Sequence, residues 1–330
     1  MGRARNRQQP PRPDFQDLRR HQGAPGYWAL AGTKALPNVA GAQRLQFPRG
    51  VRRGHRCRHR GSKGPWCGQG AGGLQLALHY ARAAVLSLLV EVLVELDAVV
   101  IDYGHGGVDE HGDPVDKHKQ YHFENDDGDV YFSIYEGLVN REVAWRLIRL
   151  LLFMDPSKHI EVYDAVARKK WTREYPPSSA ADLEQRNVSL QTRTDYSNAF
   201  PTKGTLFLSL HSNAMTTDWS GPGQPIQGVA FFTSPGQTLS DKYATHIDEV
   251  FRRIPVGLKV RRGEWTDGDV DIERDFWVLK KTRGAAVLGE VGFYDNLEDA
   301  RFLASAEGQS RIAFCYATAL LELARATAPR

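Results

Sequence analysis

The sequence has few cysteines and no long hydrophobic run. Its three cysteines, Cys57, Cys67 and Cys315, are too few for a disulfide framework in a chain of 330 residues. Cys57 and Cys67 lie ten residues apart and no second pair follows them, so a closed structural zinc site of the zinc-finger kind is not predicted.

Apolar segments long enough to cross a membrane are also missing. The most apolar stretch, residues 74–100, is interrupted by charged side chains, namely Arg82, Glu91, Glu95 and Asp97. It therefore falls short of the roughly 18 uncharged residues that a membrane span requires. The first 30 residues lack an apolar segment behind their arginines. We predict no membrane span, and no standard signal peptide is visible.

Charge divides the chain into two parts. Residues 1–73 carry 15 Lys and Arg against 2 Asp and Glu, whereas residues 74–330 carry 28 against 37. The basic part is rich in Arg, Gly, Pro and Gln, a composition that buries too little apolar surface to fold, so we predict a disordered basic tail over 1–73. Aromatic residues are not interleaved with its arginines, so specific nucleic-acid binding is not expected. Residues 74–95 predict a helical lead-in, and residues 96–330 predict the folded domain.

The folded part alternates short apolar runs with amphipathic stretches, a pattern typical of an α/β domain. The predicted helices are Glu136–Leu152, Leu190–Phe200, Leu239–Arg253, one that Asn296 caps, and about 309–324. The predicted strands are Ala98–Ile101, Ile160–Tyr163, Thr205–Leu210, Gly228–Phe232, Phe276–Leu279 and Ala285–Leu288. Between the first strand and the first helix, the acidic stretch Asp109–Phe132 carries three histidines, and we predict a long loop there with solvated histidines.

Three of the predicted strands run directly into ionisable residues. The junctions are Ile101-Asp102-Tyr-Gly-His105, Leu210-His211-Ser-Asn213 and Leu288-Gly-Glu290. Ligands of α/β sheets bind outside the carboxyl ends of the strands, so we expect His105, His211 and Glu290 at one edge of the sheet. Glu136 opens the first predicted helix and can face the same edge from the other side.

Two histidines and a carboxylate suit catalytic zinc, which takes three protein ligands and leaves a fourth position for water. His105, Glu136 and His211 would form such a set. Glu290 would then remain available as a general base toward water.

Four ordered motifs around these residues resemble a known family, the zinc-dependent N-acetylmuramoyl-L-alanine amidases of the type-3 amidase family, with phage or prophage enzymes as the most similar kind. The motifs are Asp102-Tyr-Gly-His105-Gly-Gly, Glu136-Gly-Leu-Val-Asn140, Ser209-Leu-His211-Ser-Asn213-Ala and Glu290-Val-Gly-Phe293. A minor match is Ser189-Leu-Gln-Thr-Arg193. One departure is Tyr103, which stands where the family often has proline.

The resemblance implies a twisted mixed β-sheet flanked by helices on both faces, with 96–330 as the catalytic domain. It implies one catalytic Zn²⁺ bound by His105, Glu136 and His211, and Glu290 as the catalytic carboxylate. Candidates for holding a ligand side chain or contacting substrate are Asp102, Asn213 and Arg193. The implied substrate is peptidoglycan, cleaved between N-acetylmuramic acid and L-alanine at the bacterial cell wall.

Two alternatives stay open on the sequence. The same two histidines and glutamate would serve a zinc metallopeptidase that cuts within the stem peptide. The basic tail would also suit a catalytically inactive protein that binds the cell wall. Phage lysis and host wall remodelling are both consistent with the sequence as the setting in which the enzyme acts.

Overall fold

A mixed seven-stranded β-sheet lies at the centre of the described part of the chain. The structure is a computed structural model, and it describes residues 96–154, 160–261 and 268–325. The tail predicted for 1–73 and the helical lead-in predicted for 74–95 lie outside these residues.

Four parallel strands form the middle of the sheet. In spatial order they are β4 (Glu161–Asp164), β1 (Ala98–Tyr103), β6 (Thr205–Asn213) and β10 (Ala285–Phe293). On one side, β5 (Lys169–Trp171) runs antiparallel to β4; on the other, β8 (Val229–Thr233) runs antiparallel to β10, and the short β9 (Ile272–Glu273) pairs with β8. All six residues of β1 are buried, as expected of a parallel strand covered on both faces.

Helices cover both faces, as predicted. One face packs against α1 (Glu136–Met154), α3 (Leu239–Arg253), α5 (Leu297–Ala304) and α6 (Ala306–Arg325). The shorter helices α2 (Leu190–Ser197) and α4 (Trp277–Lys281) lie on the other face. Successive strand residues serve opposite cores: Val99 belongs to the first cluster and Val100 to the second. Asn296 caps α5 as predicted, because its side chain accepts hydrogen bonds from the backbone of Glu298 and Asp299.

A second, three-stranded sheet occupies part of the stretch where we predicted a long loop, and the prediction is wrong from residue 120 onward. His111 and His118, which precede the hairpin, are exposed as predicted. The sheet consists of the hairpin β2 (Gln120–Glu124) and β3 (Val130–Tyr135), with the short β7 (Ser220–Gly221) parallel to β2. Its turn is closed by the Asn125 side chain, which accepts from the backbone amides of Asp127 and Asp129. The acidic turn obscured the alternation of polar and apolar residues in the strands on either side. We refer to this three-stranded sheet as the small sheet.

Two further differences concern the predicted strands. Phe276–Leu279 was predicted as a strand, but residues Trp277–Lys281 form the helix α4, because a short apolar run does not by itself distinguish a strand from a helix. The strands β6 and β10 continue past their predicted ends to Asn213 and Phe293. His211 and Glu290 therefore lie within the carboxyl-terminal parts of two paired strands rather than in the loops that follow. Among the helices that the structure describes, none has the length and hydrophobicity to cross a bilayer.

Candidate active site

The carboxyl edge of the parallel strands brings four ionisable side chains together. β1 leads through Gly104 to His105, while β6 carries His211 and β10 carries Glu290. His211 and Glu290 are direct partners across the β6–β10 pair, so the register of the sheet fixes their separation. Glu136 is the first residue of α1, where a carboxylate is favoured by the positive end of the helix dipole.

His105, Glu136 and His211 lie close enough to share one ion. The Nε2 atom of His105 is 3.5 Å from Oε2 of Glu136, and Nδ1 of His211 is 2.8 Å from Oε1 of the same carboxylate. One possible ligand atom from each residue falls within 4.8 Å of the other two, and no other such group of three occurs among the described residues. Oε2 of Glu136 is buried, and within the described ranges no donor hydrogen-bonds to it.

Burial and neighbouring charges set the protonation of these groups. Burial lowers the pKa of His105, which favours the neutral ring that a metal requires. Burial alone would lower the pKa of His211, but its hydrogen bond to Glu136 and the surrounding carboxylates raise it overall. Burial raises the pKa of Glu290 to about 7. Its Oε2 atom is buried without a hydrogen-bond partner in the described part of the chain.

The turn after β1 holds His105 in an uncommon conformation. His105 has φ 72°, in the left-handed region that residues other than glycine seldom occupy. Its Nδ1 atom lies 3.1 Å from Oδ2 of Asp116, which fixes the orientation of the ring. Gly104 lies against the His211 ring so closely that a Cβ there would be 2.4 Å from its Cε1 atom. The absence of a side chain at position 104 therefore lets the two histidines approach each other.

Arg141 supports this turn from below, and the sequence reasoning missed it. Its side chain is 1% exposed, and its Nη1 atom donates to the carbonyls of Tyr103, Gly104 and Gly137. Its Nε and Nη2 atoms donate to the carbonyl of Glu184, at 2.9 and 2.7 Å. The available signal was an arginine at a position of α1 flanked by buried residues, where an apolar side chain is usual.

The other three predicted residues lie outside the cluster of His105, Glu136, His211 and Glu290. Asp102 is fully buried; it accepts hydrogen bonds from Nη1 of Arg193 at 2.9 Å and from Oγ of Ser209 at 2.7 Å. Arg193 is also buried, so this ion pair lies beneath the site. The Oδ1 atom of Asn213 accepts from the backbone amide of Ala214, at the carboxyl end of β6.

Comparison with known proteins identifies the family. The family profile described as N-acetylmuramoyl-L-alanine amidase (Amidase_3) matches residues 99–322. The chain belongs to this amidase family. The family assignment confirms the resemblance carried by the four motifs, and a search of curated proteins finds no match.

Solved structures of amidases align over most of the described chain. An N-acetylmuramoyl-L-alanine amidase from Clostridium difficile 630 is 20% identical, with a TM-score of 0.50 over 71% of this chain and 100% of that one. The catalytic domain of the amidase CwlV from Bacillus (Paenibacillus) polymyxa var. colistinus is 21% identical, with a TM-score of 0.46 over 69% of this chain and 97% of that one. The likeness to the Clostridium difficile enzyme shows a shared fold.

Membership of the amidase family defines the reaction. The protein is a hydrolase that cleaves the amide bond between N-acetylmuramic acid and L-alanine in peptidoglycan, and it acts at the cell wall. The side chains gathered at the carboxyl edge of the sheet are the candidates for carrying out that cleavage.

Proposed function

We propose that this amidase works with one zinc ion held by His105, Glu136 and His211, and that Glu290 is its general base and acid. The observation that carries the proposal is that two imidazole nitrogens and one carboxylate oxygen lie within 4.8 Å of one another. Imidazole and carboxylate are ligands that zinc prefers, and three of them leave a position open for substrate or water.

The buried Oε2 atom of Glu136 supports this ligand set. A buried carboxylate oxygen with no hydrogen-bond partner is costly unless a cation or a donor satisfies it. Both imidazoles already lie close to the Glu136 carboxylate. A cation among the three side chains would therefore interact with the carboxylate and with both ring nitrogens. Zinc bound there would supply Lewis-acid chemistry, which polarises an amide carbonyl and lowers the pKa of water.

We assign the proton transfers to Glu290 because of its position in the cluster. Its carboxylate stands beside His211 across the strand pair, and burial raises its pKa to about 7. From that position the Glu290 carboxylate would accept a proton from the attacking water and return it to the departing nitrogen of L-alanine. Asp102 and Arg193 do not take part in this transfer, because both are buried beneath the site; we infer that they support β1 and β6 from that position.

We further propose residues 96–330 as the catalytic domain, preceded by the helical lead-in 74–95 and the basic tail 1–73. The described residues between Ala98 and Arg325 include every residue assigned to the reaction.

Zinc content tests the ligand set. Full-length protein carrying His211→Ala should lose stoichiometric zinc, because two ligands rarely hold the ion against a chelator. His122→Ala is the matched control: His122 lies in the small sheet, where its Nδ1 atom contacts Ser133, and this protein should keep one zinc per chain. Retention of one zinc by a folded His211→Ala protein, measured by atomic emission with circular dichroism to verify folding, would show the ligand set to be wrong.

A further inference from the structure

Lys119 lies at the point where the small sheet meets the candidate metal site. The backbone amide of Glu136 donates to the carbonyl of Lys119 at 2.9 Å, which extends the β2–β3 pairing by one residue. The hairpin register therefore holds Lys119 directly beside Glu136. Its Nζ atom lies 4.0 Å from Oε2 of Glu136, and its side chain is 42% exposed against 2% for Glu136. The ammonium group thus stands on the solvent side of the site.

Glu136 is a poor partner for this ammonium group. Its two oxygens already face His105 and His211, and under the proposed function they bind zinc. A half-exposed ion pair at 4.0 Å contributes little by itself. Among the described residues, no other carboxylate lies within 4.0 Å of the Lys119 Nζ atom. Lys119 is therefore a cation beside the reaction centre that an incoming anion can reach.

The surroundings make this cation distinctive. The two other cations near the cluster, Arg141 and Arg193, are buried and donate to backbone carbonyls and to Asp102. Carboxylates flank the two histidines, with Asp116 beside His105 and Glu290 beside His211. Residues 74–330 are also net acidic, with 28 Lys and Arg against 37 Asp and Glu. An exposed positive charge in such surroundings attracts an anionic group of the substrate to one particular place beside the reaction centre.

The substrate offers an anion close to the bond that is cleaved. In the stem peptide, L-alanine is followed by a glutamate linked through its side chain, and the α-carboxylate of that residue is either free or amidated. We propose that Lys119 determines specificity by pairing with this free α-carboxylate, so that the enzyme prefers the acid over the amidated peptide. This inference rests on the proposed function, because it takes the cluster beside Lys119 as the reaction centre.

Binding to an inactivated enzyme tests Lys119 without depending on turnover. Two muropeptides that differ only in the α-carboxylate or α-carboxamide of the second residue are titrated into zinc-loaded, full-length Glu290→Gln protein. We expect the acid to bind about tenfold more tightly, the size of a charge-assisted contact at a partly exposed site. Adding Lys119→Met should weaken binding of the acid peptide alone and so remove the difference in affinity. Lys119→Arg should retain the difference. Lys117→Met is the matched control, since Lys117 is an exposed neighbour outside the cluster, and it should change neither affinity.

The outcomes separate the two proposals. Equal affinity of the Lys119-containing protein for both peptides, or an equal loss for both peptides on Lys119→Met, would overturn the role of Lys119. Substantial turnover of the peptides by the Glu290→Gln protein would instead contradict the role of Glu290, and the binding comparison would still report on Lys119.

Discussion

The carboxyl edge of the central sheet and the small sheet beside it hold their polar side chains in different ways. Under the central edge, Asp102 and Arg193 are buried, and Glu136 is 1% exposed. In the hairpin turn of the small sheet, the side chains of Asp127 and Asp129 are exposed, and local hydrogen bonds to Asn125 close the turn. Buried polar groups are tightly constrained and costly to disturb, whereas exposed ones tolerate change. We infer that side chains at the carboxyl edge of the central sheet carry out the reaction. We also infer that the small sheet influences which substrates bind.

The largest expected difference between the two regions is in catalysis. Glu290→Gln should lower kcat by about 10²- to 10⁴-fold, the range for loss of a general acid and base, while zinc content stays at one per chain. Glu124→Gln makes the same chemical change in the small sheet and should leave kcat within about twofold of the unmodified protein. The measurement is the rate of stem-peptide release from purified peptidoglycan. Comparable losses of kcat in both variants would show that the two regions do not differ in their contribution to catalysis.

A buried ion pair should sharpen the contrast in stability. Asp102→Asn should lower the free energy of unfolding by about 3–5 kcal/mol at pH 7, because it leaves Arg193 buried without its charge partner. Asp127→Asn in the hairpin turn should cost less than about 0.5 kcal/mol, as expected for an exposed position. Urea denaturation followed by circular dichroism measures both.

The pH dependence of the Asp102 variant has a defined sign. Burial alone would raise the pKa of Asp102, but Arg193, His211 and Ser209 together hold it below its ordinary value. A carboxylate with a lowered pKa stabilises the folded state above the pKa of the unfolded chain, and that stabilisation disappears as the pH falls through the folded value. The gap between the unmodified and Asp102→Asn proteins should therefore narrow from pH 7 to pH 3; a gap that widened would contradict the ion-pair account.

The smallest expected contrast is between two glycines. Gly104→Ala places a Cβ 2.4 Å from the His211 ring, so the ring must shift and zinc affinity should fall by about tenfold or more. Gly128 in the hairpin turn has φ 84° and open space around it, so Gly128→Ala should cost about 1 kcal/mol of stability through backbone strain and leave zinc affinity unchanged. Competition with a chromophoric chelator measures the affinities; equal zinc binding by both variants would show that Gly104 does not position His211.

The same contrast accounts for what could be predicted from the sequence. The edge of the central sheet was predictable because buried parallel strands are continuous apolar runs in the sequence. His211 and Glu290 stand out because each is an ionisable residue that follows such a run. The hairpin was not predicted, since an acidic turn and three histidines indicate a solvated loop. Arg141 and Gly104 could not be identified either, because their importance lies in contacts with residues distant in the sequence.

The central claim is that the cluster of His105, Glu136, His211 and Glu290 cleaves the amide with bound zinc. The most direct test is a digest of purified peptidoglycan with the full-length protein, read by mass spectrometry with no addition, with chelator, and with chelator followed by zinc. The account predicts intact stem peptides that begin with a free L-alanine amine, lost with chelator and restored by zinc. Cuts within the stem peptide, or release of the same peptides in the presence of chelator, would contradict it.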